Sequence, residues 1–447
     1  MLIFMRIRAS LFIGLPFLLL LASCFKDDNF SYKSSTVGSE TVKAPQRVPS
    51  EESRHVLLLY SAGFNSLSAD LEQDVIDLEN GYLPSKDLRS DPVFLVYSRR
   101  TYADRNYSTK TPSALFRLYA DKDGNPHRDT LQTWSKSQDA CDPATLESVL
   151  NYVKEAFPAK SYGMIFSSHG TGWLPAEYYN DPSSYEKEHA GNLVQAGKFS
   201  LRRAIWQEEF PELEPFPAVK SLGQDLYTSS SIEMEIKDFA NAIPFKLDYI
   251  LFDACLAGGV ELAYQLRGKA DLLGFSPTEI LSDGLYYLKM GSRLLKGDPD
   301  PMAVCQDFYE YYDGLSGSYR SASISLVDTR QMDALATVCG QLFQQYRETL
   351  QTMSGSDVQR YYRSDRHFFY DLQDILVKAG ISSQEQKALE DALSQCVLYK
   401  AATPQFLGIT MSNVCGFSMY LPSRGSALLD QFYRNNMAWN DATQLVP

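Results

Sequence analysis

Two short motifs place a histidine and a cysteine directly after apolar runs. The run YGMIF leads into SSHG, which contains His169 and Gly170, and the run YILF leads into DACLAGG, which contains Asp253 and Cys255. An imidazole can transfer protons near neutral pH and a thiolate is a strong nucleophile, so the pair could attack a carbonyl carbon and protonate a leaving group. Each residue alone has an ordinary alternative, namely a hydrogen-bonded surface histidine and a small buried cysteine.

The runs before these motifs are typical of buried strands. Five such segments, short, apolar and rich in β-formers, are HVLLLYSAG, DPVFLVYSR, SYGMIFSSHG, DYILFDACLAG and ADLLGFSP. Helical segments lie between them, among them LSADLEQDVIDLENG and PATLESVLNYVKEAF; the second has Asp142 as its N-cap and Pro143 at its first helical position. This alternation predicts an α/β fold with a mostly parallel central sheet flanked by helices on both faces.

The predicted sheet would bring the two motifs together. In parallel sheets, ligands bind outside the carboxyl ends of the strands, so we expect His169 and Cys255 to emerge at one edge. The helical segment VELAYQLRGKA follows Cys255. We therefore also expect the thiol to lie near a helix N-terminus, whose partial positive charge favours the thiolate.

Length and charge limit the classes of function. At 447 residues the chain is long enough for two or three domains of about 150 residues each. Its 44% hydrophobic and 22% charged residues are typical of a globular protein. The formal net charge of -13 repels phosphate backbones, so we expect no nucleic-acid partner.

The N-terminus has the three parts of a secretory signal. Arg6 and Arg8 precede the apolar run LFIGLPFLLLLA, and LASC follows it. LASC resembles the lipobox of bacterial lipoproteins, which implies a signal peptide over residues 1–23 and a lipid anchor on Cys24. The alternative is that the apolar run is itself a transmembrane anchor. FKDD after Cys24 resembles an export tag of surface lipoproteins; the alternative is a solvated charge cluster. The composition of residues 24–52 predicts a flexible tether. We predict an exported chain, lipid-anchored to the outer membrane and exposed at the cell surface.

The central motifs carry a family resemblance. SSHGTGW resembles the histidine motif, and FDACLAGGVELAY the cysteine motif, of the clostripain family of cysteine peptidases. Further similar segments are LLLYSAGFNSLSADLEQDVIDL near the start of the mature chain, and YDLQDILVKAG and GFSMYLPSRG near its end. The resemblance implies a caspase-like three-layer sandwich, which we expect over residues 53–350, with a C-terminal region over 351–447 packed on it.

The resemblance also implies roles for individual residues. Cys255 would be the nucleophile and His169 the proton-transfer partner, with the backbone N–H groups of Gly170 and Cys255 forming the oxyanion hole. Asp253 stands where the family has an acid in the pocket for the residue before the scissile bond, which predicts cleavage after Arg or Lys. Its alternative role is to cap the next helix. Ser276 and Asp283 are further candidates for this pocket.

Two features leave the specificity and maturation of the site open. Pro277 and Thr278 stand where the family pattern has an acidic pair, and Leu285 where it has Trp. Between the two motifs lies a polar insertion that is either a self-cleavage region or an ordinary surface loop; its candidate cut points are Lys187, Lys198, Arg202 and Arg203.

No cofactor or metal is implied. The cysteines other than Cys24 and Cys255 show no CxxC spacing, the histidines show no metal-ligand spacing, and no calcium-binding loop is present. The rival hypothesis is a catalytically inactive caspase-like surface protein that binds peptides or glycans through aromatic clusters such as YYDGLSGSY and RYYRSDRHFFY.

Overall fold

The predicted strands form the centre of one large sheet. The computed structural model describes residues 53–86, 92–102, 107, 109–176, 178, 185, 224–226, 231–363 and 367–447. The strands of this part are β1 (Val56–Gly63), β2 (Val93–Arg100), β3 (Ser113–Ala120), β4 (Pro126–Trp134), β5 (Tyr162–Ser167), β6 (Gln224–Leu226), β7 (Ser231–Glu233), β8 (Leu247–Asp253), β9 (Ala270–Phe275), β10 (Ser323–Asp328), β11 (Tyr370–Asp371), β12 (Val397–Ala402), β13 (Gln405–Phe406), β14 (Ile409–Thr410) and β15 (Ser418–Met419).

The helices cover both faces of this sheet. Within the described ranges they are α1 (Ser68–Asn80), α2 (Pro143–Ala156), α3 (Ile236–Asn241), α4 (Val260–Gln265), α5 (Tyr287–Leu294), α6 (Pro301–Asp313), α7 (Met332–Gln345), α8 (Arg347–Thr352), α9 (Leu372–Lys378), α10 (Ser383–Cys396), α11 (Ala427–Asn436) and α12 (Ala438–Thr443). The predicted start of α2 is confirmed, because the Asp142 carboxylate accepts the Ala144 N–H at 2.9 Å and Pro143 is the first helical residue.

The sheet order explains why the two motifs can meet. Nine of the described strands form one sheet, in the order β12-β10-β9-β8-β5-β1-β2-β3-β4. The pairs β9–β8, β8–β5, β5–β1 and β1–β2 are all parallel. The carboxyl ends of β5 and β8 are therefore neighbours at the same edge of the sheet.

Alternate residues of the central strands enter two separate hydrophobic cores. In β1, Leu58 and Tyr60 pack with α2, α3 and α7 on one face, whereas Leu57 and Leu59 pack with α1, α5 and α6 on the other. This alternation is the period of two of an extended strand, and burial of both faces explains why these runs are continuously apolar. The predicted α/β fold, a central sheet between two helical layers, is confirmed.

The outer strands were not predicted. β3, β4, β10 and β12 pair antiparallel at the two sides of the sheet. β4 and β12 are largely exposed or half-buried, so they lack the apolar runs that identified the central strands. β12 comes from the C-terminal region, and one hydrophobic core contains residues from both sides of position 350. The domain boundary at 350 stays a prediction.

Several sequence predictions lie outside the described residues. They are the signal peptide over 1–23, the lipidation site Cys24, the tether over 24–52 and the cut points Lys187, Lys198, Arg202 and Arg203. Within the part that is described, no helix combines the length and the apolar character needed to cross a membrane.

Candidate active site

The histidine and cysteine motifs leave the sheet side by side. Ser167, the last residue of β5, is the register partner of Asp253, the last residue of β8. The Ser168 N–H continues this pairing with a 3.4 Å hydrogen bond to the Asp253 carbonyl. His169 and Cys255 each lie two residues beyond these strand ends. The prediction that they emerge at one edge is thus confirmed.

Gly170 lies in direct contact with the main chain of Cys255. A Cβ atom at position 170 would be 2.1 Å from the Cys255 carbonyl oxygen and 2.8 Å from its nitrogen. Real Cβ atoms essentially never come within 3.0 Å of such atoms, so only glycine fits. The two backbone segments that carry the predicted oxyanion-hole donors are therefore packed against each other.

The Cys255 sulfur is buried beside the segment that follows β9. The residue is 2% exposed, and its Sγ lies 3.1 Å from the Ile280 nitrogen and 3.6 Å from the Ile280 carbonyl oxygen. The Ile280 N–H points at the sulfur and can stabilise a thiolate by hydrogen bonding. This contact was not predicted, because Ile280 is 25 residues away in the sequence.

The helix that follows Cys255 begins where the sequence predicts it, at the first residue of VELAY. α4 begins at Val260, and the residue directly after Cys255 is Leu256, which has a φ of +56°. The prediction that the N-terminus of α4 favours the thiolate stays a prediction. A left-handed, non-glycine residue beside a proposed nucleophile is the strained geometry often found at functional sites.

His169 is held by a serine from a neighbouring strand end. Its Nε2 lies 2.9 Å from Ser66 Oγ, and the histidine is 6% exposed. Ser66 follows β1, whose carboxyl end lies next to that of β5. Sequence reasoning missed this residue, although its position after a central parallel strand was a usable signal.

Asp253 is buried and accepts hydrogen bonds from three groups. Its Oδ2 accepts from Ser167 Oγ at 2.8 Å and from the Tyr287 hydroxyl at 2.7 Å, and its Oδ1 accepts the Leu285 N–H at 3.2 Å. The alternative role as a helix cap is wrong, because the N-cap of α4 is Gly259. Asp253 thus joins β5 and β8 to the segment at 285–287.

The other two pocket candidates make hydrogen bonds to groups other than those that bind Asp253. The Ser276 hydroxyl is buried and lies 3.0 Å from Thr278 Oγ1 and 3.1 Å from Ser323 Oγ in β10. Asp283 is exposed, and its carboxylate accepts the Tyr311 hydroxyl at 3.5 Å. In this structure the three residues therefore lie in three different environments.

A buried glutamate ties the cysteine motif to the C-terminal region. Glu261 Oε1 accepts the Tyr420 N–H at 2.9 Å and the Tyr433 hydroxyl at 2.8 Å. The rings of Tyr420 and Tyr433 pack on Trp173 of the histidine motif, with centroid distances of 4.6 and 5.0 Å. Residues near the C-terminus therefore support both motifs at once.

We expect Glu261→Gln to stabilise the protein above neutral pH. Burial raises the pKa of Glu261 from 4.5 to about 7, so the native state binds a proton that the unfolded state has lost between these values. Stability therefore falls as pH rises through this window, by up to about 3 kcal/mol at about 1.4 kcal/mol per pKa unit. The amide oxygen of Gln can still accept from Tyr420 and Tyr433.

Urea denaturation of both proteins at pH 4 and pH 8 measures this effect. The variant should have the higher free energy of unfolding at pH 8, and the difference should disappear at pH 4. An equal difference at both pH values would contradict the assignment of a neutral Glu261 to the native state.

The aromatic clusters mostly belong to the cores. Buried members are Tyr312, Tyr361, Tyr362, Phe368, Phe369 and Tyr370, whereas Tyr319 is exposed. The six cysteines of the described ranges are buried thiols that form no disulfide there. No group of His, Cys, Asp and Glu side chains suited to a metal ion occurs in the same ranges.

Comparisons with known proteins agree with this arrangement. The sequence model of the clostripain family matches residues 59–193 and 208–444. Clostripain from Hathewaya histolytica is 25% identical over 275 residues, which cover 57% of this chain and 46% of clostripain. The chain therefore spans about half the length of this curated relative.

Solved structures of similar proteins cover most of the chain. An inactive zymogen C11 protease from Parabacteroides distasonis is 25% identical with a TM-score of 0.68, over 89% of this chain and 99% of that one. A secreted C11 cysteine protease from Bacteroides thetaiotaomicron, in complex with an irreversible peptide inhibitor, is 25% identical with a TM-score of 0.65, over 88% and 99%.

Proposed function

Because the chain belongs to the clostripain family of cysteine peptidases, we propose that it is an endopeptidase that cleaves peptide bonds after Arg or Lys through a His169/Cys255 dyad. The observation that carries this proposal is the packing of Gly170 on the main chain of Cys255, which sets the two motifs side by side at the carboxyl edge of the sheet. Peptidase chemistry needs a nucleophile, a proton donor and an oxyanion hole within one substrate's reach.

The reaction proceeds through a covalent intermediate. The Cys255 thiolate attacks the carbonyl carbon, and the N–H groups of Gly170 and Cys255 stabilise the oxyanion. The C–N bond breaks as His169 protonates the departing amine, which leaves a thioester on Cys255. Water, deprotonated by His169, then hydrolyses the thioester and restores the thiolate.

The preference for a basic residue follows from the acids around the site. The sequence predicts Asp253 and Asp283 in this pocket, and Asp253 accepts hydrogen bonds from three protein donors. A carboxylate in a confined pocket attracts a guanidinium by a bidentate pair or an ammonium as a point charge. We assign the preference to Arg and Lys together, without choosing between them.

Hydrolysis of a matched set of fluorogenic peptide amides tests the function. The set carries Arg, Lys, Leu or Asp at the residue before the scissile bond, and Cys255→Ala is the control. We expect the wild type to cleave the Arg and Lys peptides at least about tenfold faster than the others, which corresponds to about 1.4 kcal/mol of transition-state binding. Preference for Asp or Leu would overturn the assignment of substrate class.

We expect the polar insertion to be cut by the protein itself. The proposed cut points are Lys187, Lys198, Arg202 and Arg203, which lie between the two motifs. Mass spectrometry should find fragments ending at one of these residues in the wild type and the intact chain in Cys255→Ala. Because β5 and β8 pair in the central sheet, the two fragments should co-elute on gel filtration and separate only after denaturation. The same fragments in both proteins would exclude self-cleavage.

We also propose that the chain is exported and anchored through lipid on Cys24 at the cell surface. The support is the lipobox-like LASC with its apolar run and the acidic segment that follows. Metabolic labelling with palmitate should mark the wild type but not Cys24→Ser, and protease added to intact cells should degrade the protein. An unlabelled wild-type chain would refute the anchor.

The inactive peptide- or glycan-binding protein remains the alternative. The burial of most aromatic cluster residues leaves few of them for stacking on a sugar. A folded wild type that binds these peptides but releases no product would favour a binding protein.

A further inference from the structure

Trp173 of the histidine motif packs against aromatic rings from the C-terminal region. The residue is 2% exposed and shares the motif SSHGTGW with His169. Its ring centroid lies 4.6 Å from that of Tyr420 and 5.0 Å from that of Tyr433, and the two tyrosine rings are 4.9 Å apart. The indole Nε1 has no hydrogen-bond partner in the described part of the chain. The position of the Trp173 side chain therefore depends on packing against these rings.

The two tyrosines are bound in turn to the cysteine motif. Glu261 belongs to the motif FDACLAGGVELAY, and one of its carboxylate oxygens accepts both the Tyr433 hydroxyl at 2.8 Å and the Tyr420 N–H at 2.9 Å. The glutamate is 1% exposed, and hydrogen bonds shielded from water in this way are strengthened by the low local dielectric. Tyr420 and Tyr433 thus connect the segment that carries Cys255 to the indole that follows His169.

The two motifs meet a second time at Gly172. This residue has a φ of +60°, and a Cβ there would lie 2.9 Å from the Leu256 carbonyl oxygen and 2.5 Å from Phe369 Cε1. Both its conformation and its neighbours therefore require glycine. Because Phe369 also comes from the C-terminal region, a residue distant in the sequence packs against this second contact as well.

The segment over residues 168–173 is therefore held at both of its ends. At its start, the Ser168 N–H continues the pairing of β5 with β8. At its other end, Trp173 is held by the aromatic packing. His169 and Gly170 lie between these two points. Since a displacement of about 1 Å in a reacting group can cost about 100-fold in rate, the second support should matter for catalysis and not only for stability.

We propose that Tyr433 is a positioning residue for the reaction and acts through Trp173. Its ring and that of Tyr420, both bound to Glu261, fix the far end of the segment that carries His169. The inference rests on the proposed peptidase function, and it makes the C-terminal region part of the active site. A positioning role should appear as a loss of kcat with little change in KM, because the residues that bind the substrate before the scissile bond are unchanged.

Substitutions of Tyr433 separate the role of its ring from that of its hydroxyl. The assay is steady-state hydrolysis of the Arg and Lys peptide amides. Tyr433→Leu removes the aromatic contact with Trp173 and should lower kcat about 100-fold, with KM changed less than about threefold. Tyr433→Phe keeps the ring and loses only the hydrogen bond to Glu261, so kcat should fall about fivefold, as expected for one hydrogen bond.

Tyr249→Leu is the matched control. Tyr249 is likewise buried, with its hydroxyl 2.9 Å from His55 Nε2, but it lies near the amino end of β8, away from the edge that carries His169 and Cys255. The cavity and the lost hydrogen bond should lower the free energy of unfolding about as much as in Tyr433→Leu, which urea denaturation measures. The kcat of this control should stay within about threefold of the wild-type value.

A double variant tests whether Tyr433 acts through Trp173. Trp173→Leu should lower kcat by about the same factor as Tyr433→Leu. The double variant Tyr433→Leu/Trp173→Leu should then lose at most about threefold more than either single variant, because both substitutions remove the same support. Losses that multiply in the double variant would show that the two residues act independently and would overturn the proposed role.

The outcomes separate this inference from the proposed function. A wild type that cleaves neither peptide would refute the peptidase function itself. A wild type that cleaves them, with a folded Tyr433→Leu whose kcat is unchanged or whose loss is confined to KM, would overturn the positioning role alone. An equal loss of kcat in Tyr249→Leu would show that kcat follows stability and would likewise overturn it. If Tyr433→Leu does not fold, Tyr433→Phe decides, and a wild-type kcat in that variant would overturn the role.

Discussion

Gly170→Ala is expected to lower kcat/KM by about 1000-fold or more. The new methyl carbon would lie 2.1 Å from the Cys255 carbonyl oxygen and 2.8 Å from its nitrogen, so the two backbone segments must separate. A shift of about 1 Å in reacting groups can cost about 100-fold, and the loss of one oxyanion-hole donor costs about 100- to 1000-fold. Both effects apply here, because the methyl group displaces the nucleophile and a proposed donor together.

Gly268→Ala is the matched control for this substitution. A Cβ at position 268 would meet no atom within 4 Å, so this variant should keep the activity and stability of the wild type. Overpacking at Gly170 should also cost about 1–3 kcal/mol of unfolding free energy, measured by denaturation in urea. A folded Gly170→Ala variant with wild-type kcat/KM would show that the contact between the two motifs is not part of the active site.

His169→Ala should reduce the rate of amide hydrolysis by about 100- to 10,000-fold, the contribution typical of a positioned general acid. An amine is a poor leaving group that needs a proton, whereas p-nitrophenolate leaves without one. The variant should therefore lose much less activity on a p-nitrophenyl ester than on an amide of the same peptide. Steady-state kinetics on these two substrates measures the difference.

Ser66→Ala should have a much smaller effect, under about tenfold. Its hydroxyl is 2.9 Å from His169 Nε2, and a single neutral hydrogen bond is worth about 1 kcal/mol. Equal losses on the amide and the ester in His169→Ala would argue against proton donation to the leaving group. They would leave His169 with a structural role.

The centre of the fold and the two motifs could be predicted because their signals are local. β5 and β8 are continuous apolar runs, and each ends two residues before His169 or Cys255. The rule that chemistry collects at the carboxyl edge of parallel strands then placed these residues together. The outer strands β4 and β12 escaped prediction because their exposed surfaces remove the apolar pattern.

The residues that hold the two motifs in place could not be predicted, since they act through contacts between distant parts of the chain. Glu261 binds the Tyr420 N–H across 159 residues, and Arg363 reaches Glu279 across 84 residues. The left-handed conformation of Leu256 is likewise invisible in its residue type, since leucine rarely adopts it. Only the folded chain shows which buried acids accept hydrogen bonds and from which donors.

The most direct measurement is the site of covalent labelling by a peptidyl acyloxymethyl ketone with Lys or Arg beside the reactive group. Mass spectrometry of the digested adduct should find one modification, on Cys255, and it should be absent from Cys255→Ala and strongly slowed in His169→Ala. Five other described cysteines are buried thiols and serve as internal controls. A modification on one of them, or a folded wild type that the reagent leaves unmodified at Cys255, would contradict the His169/Cys255 dyad.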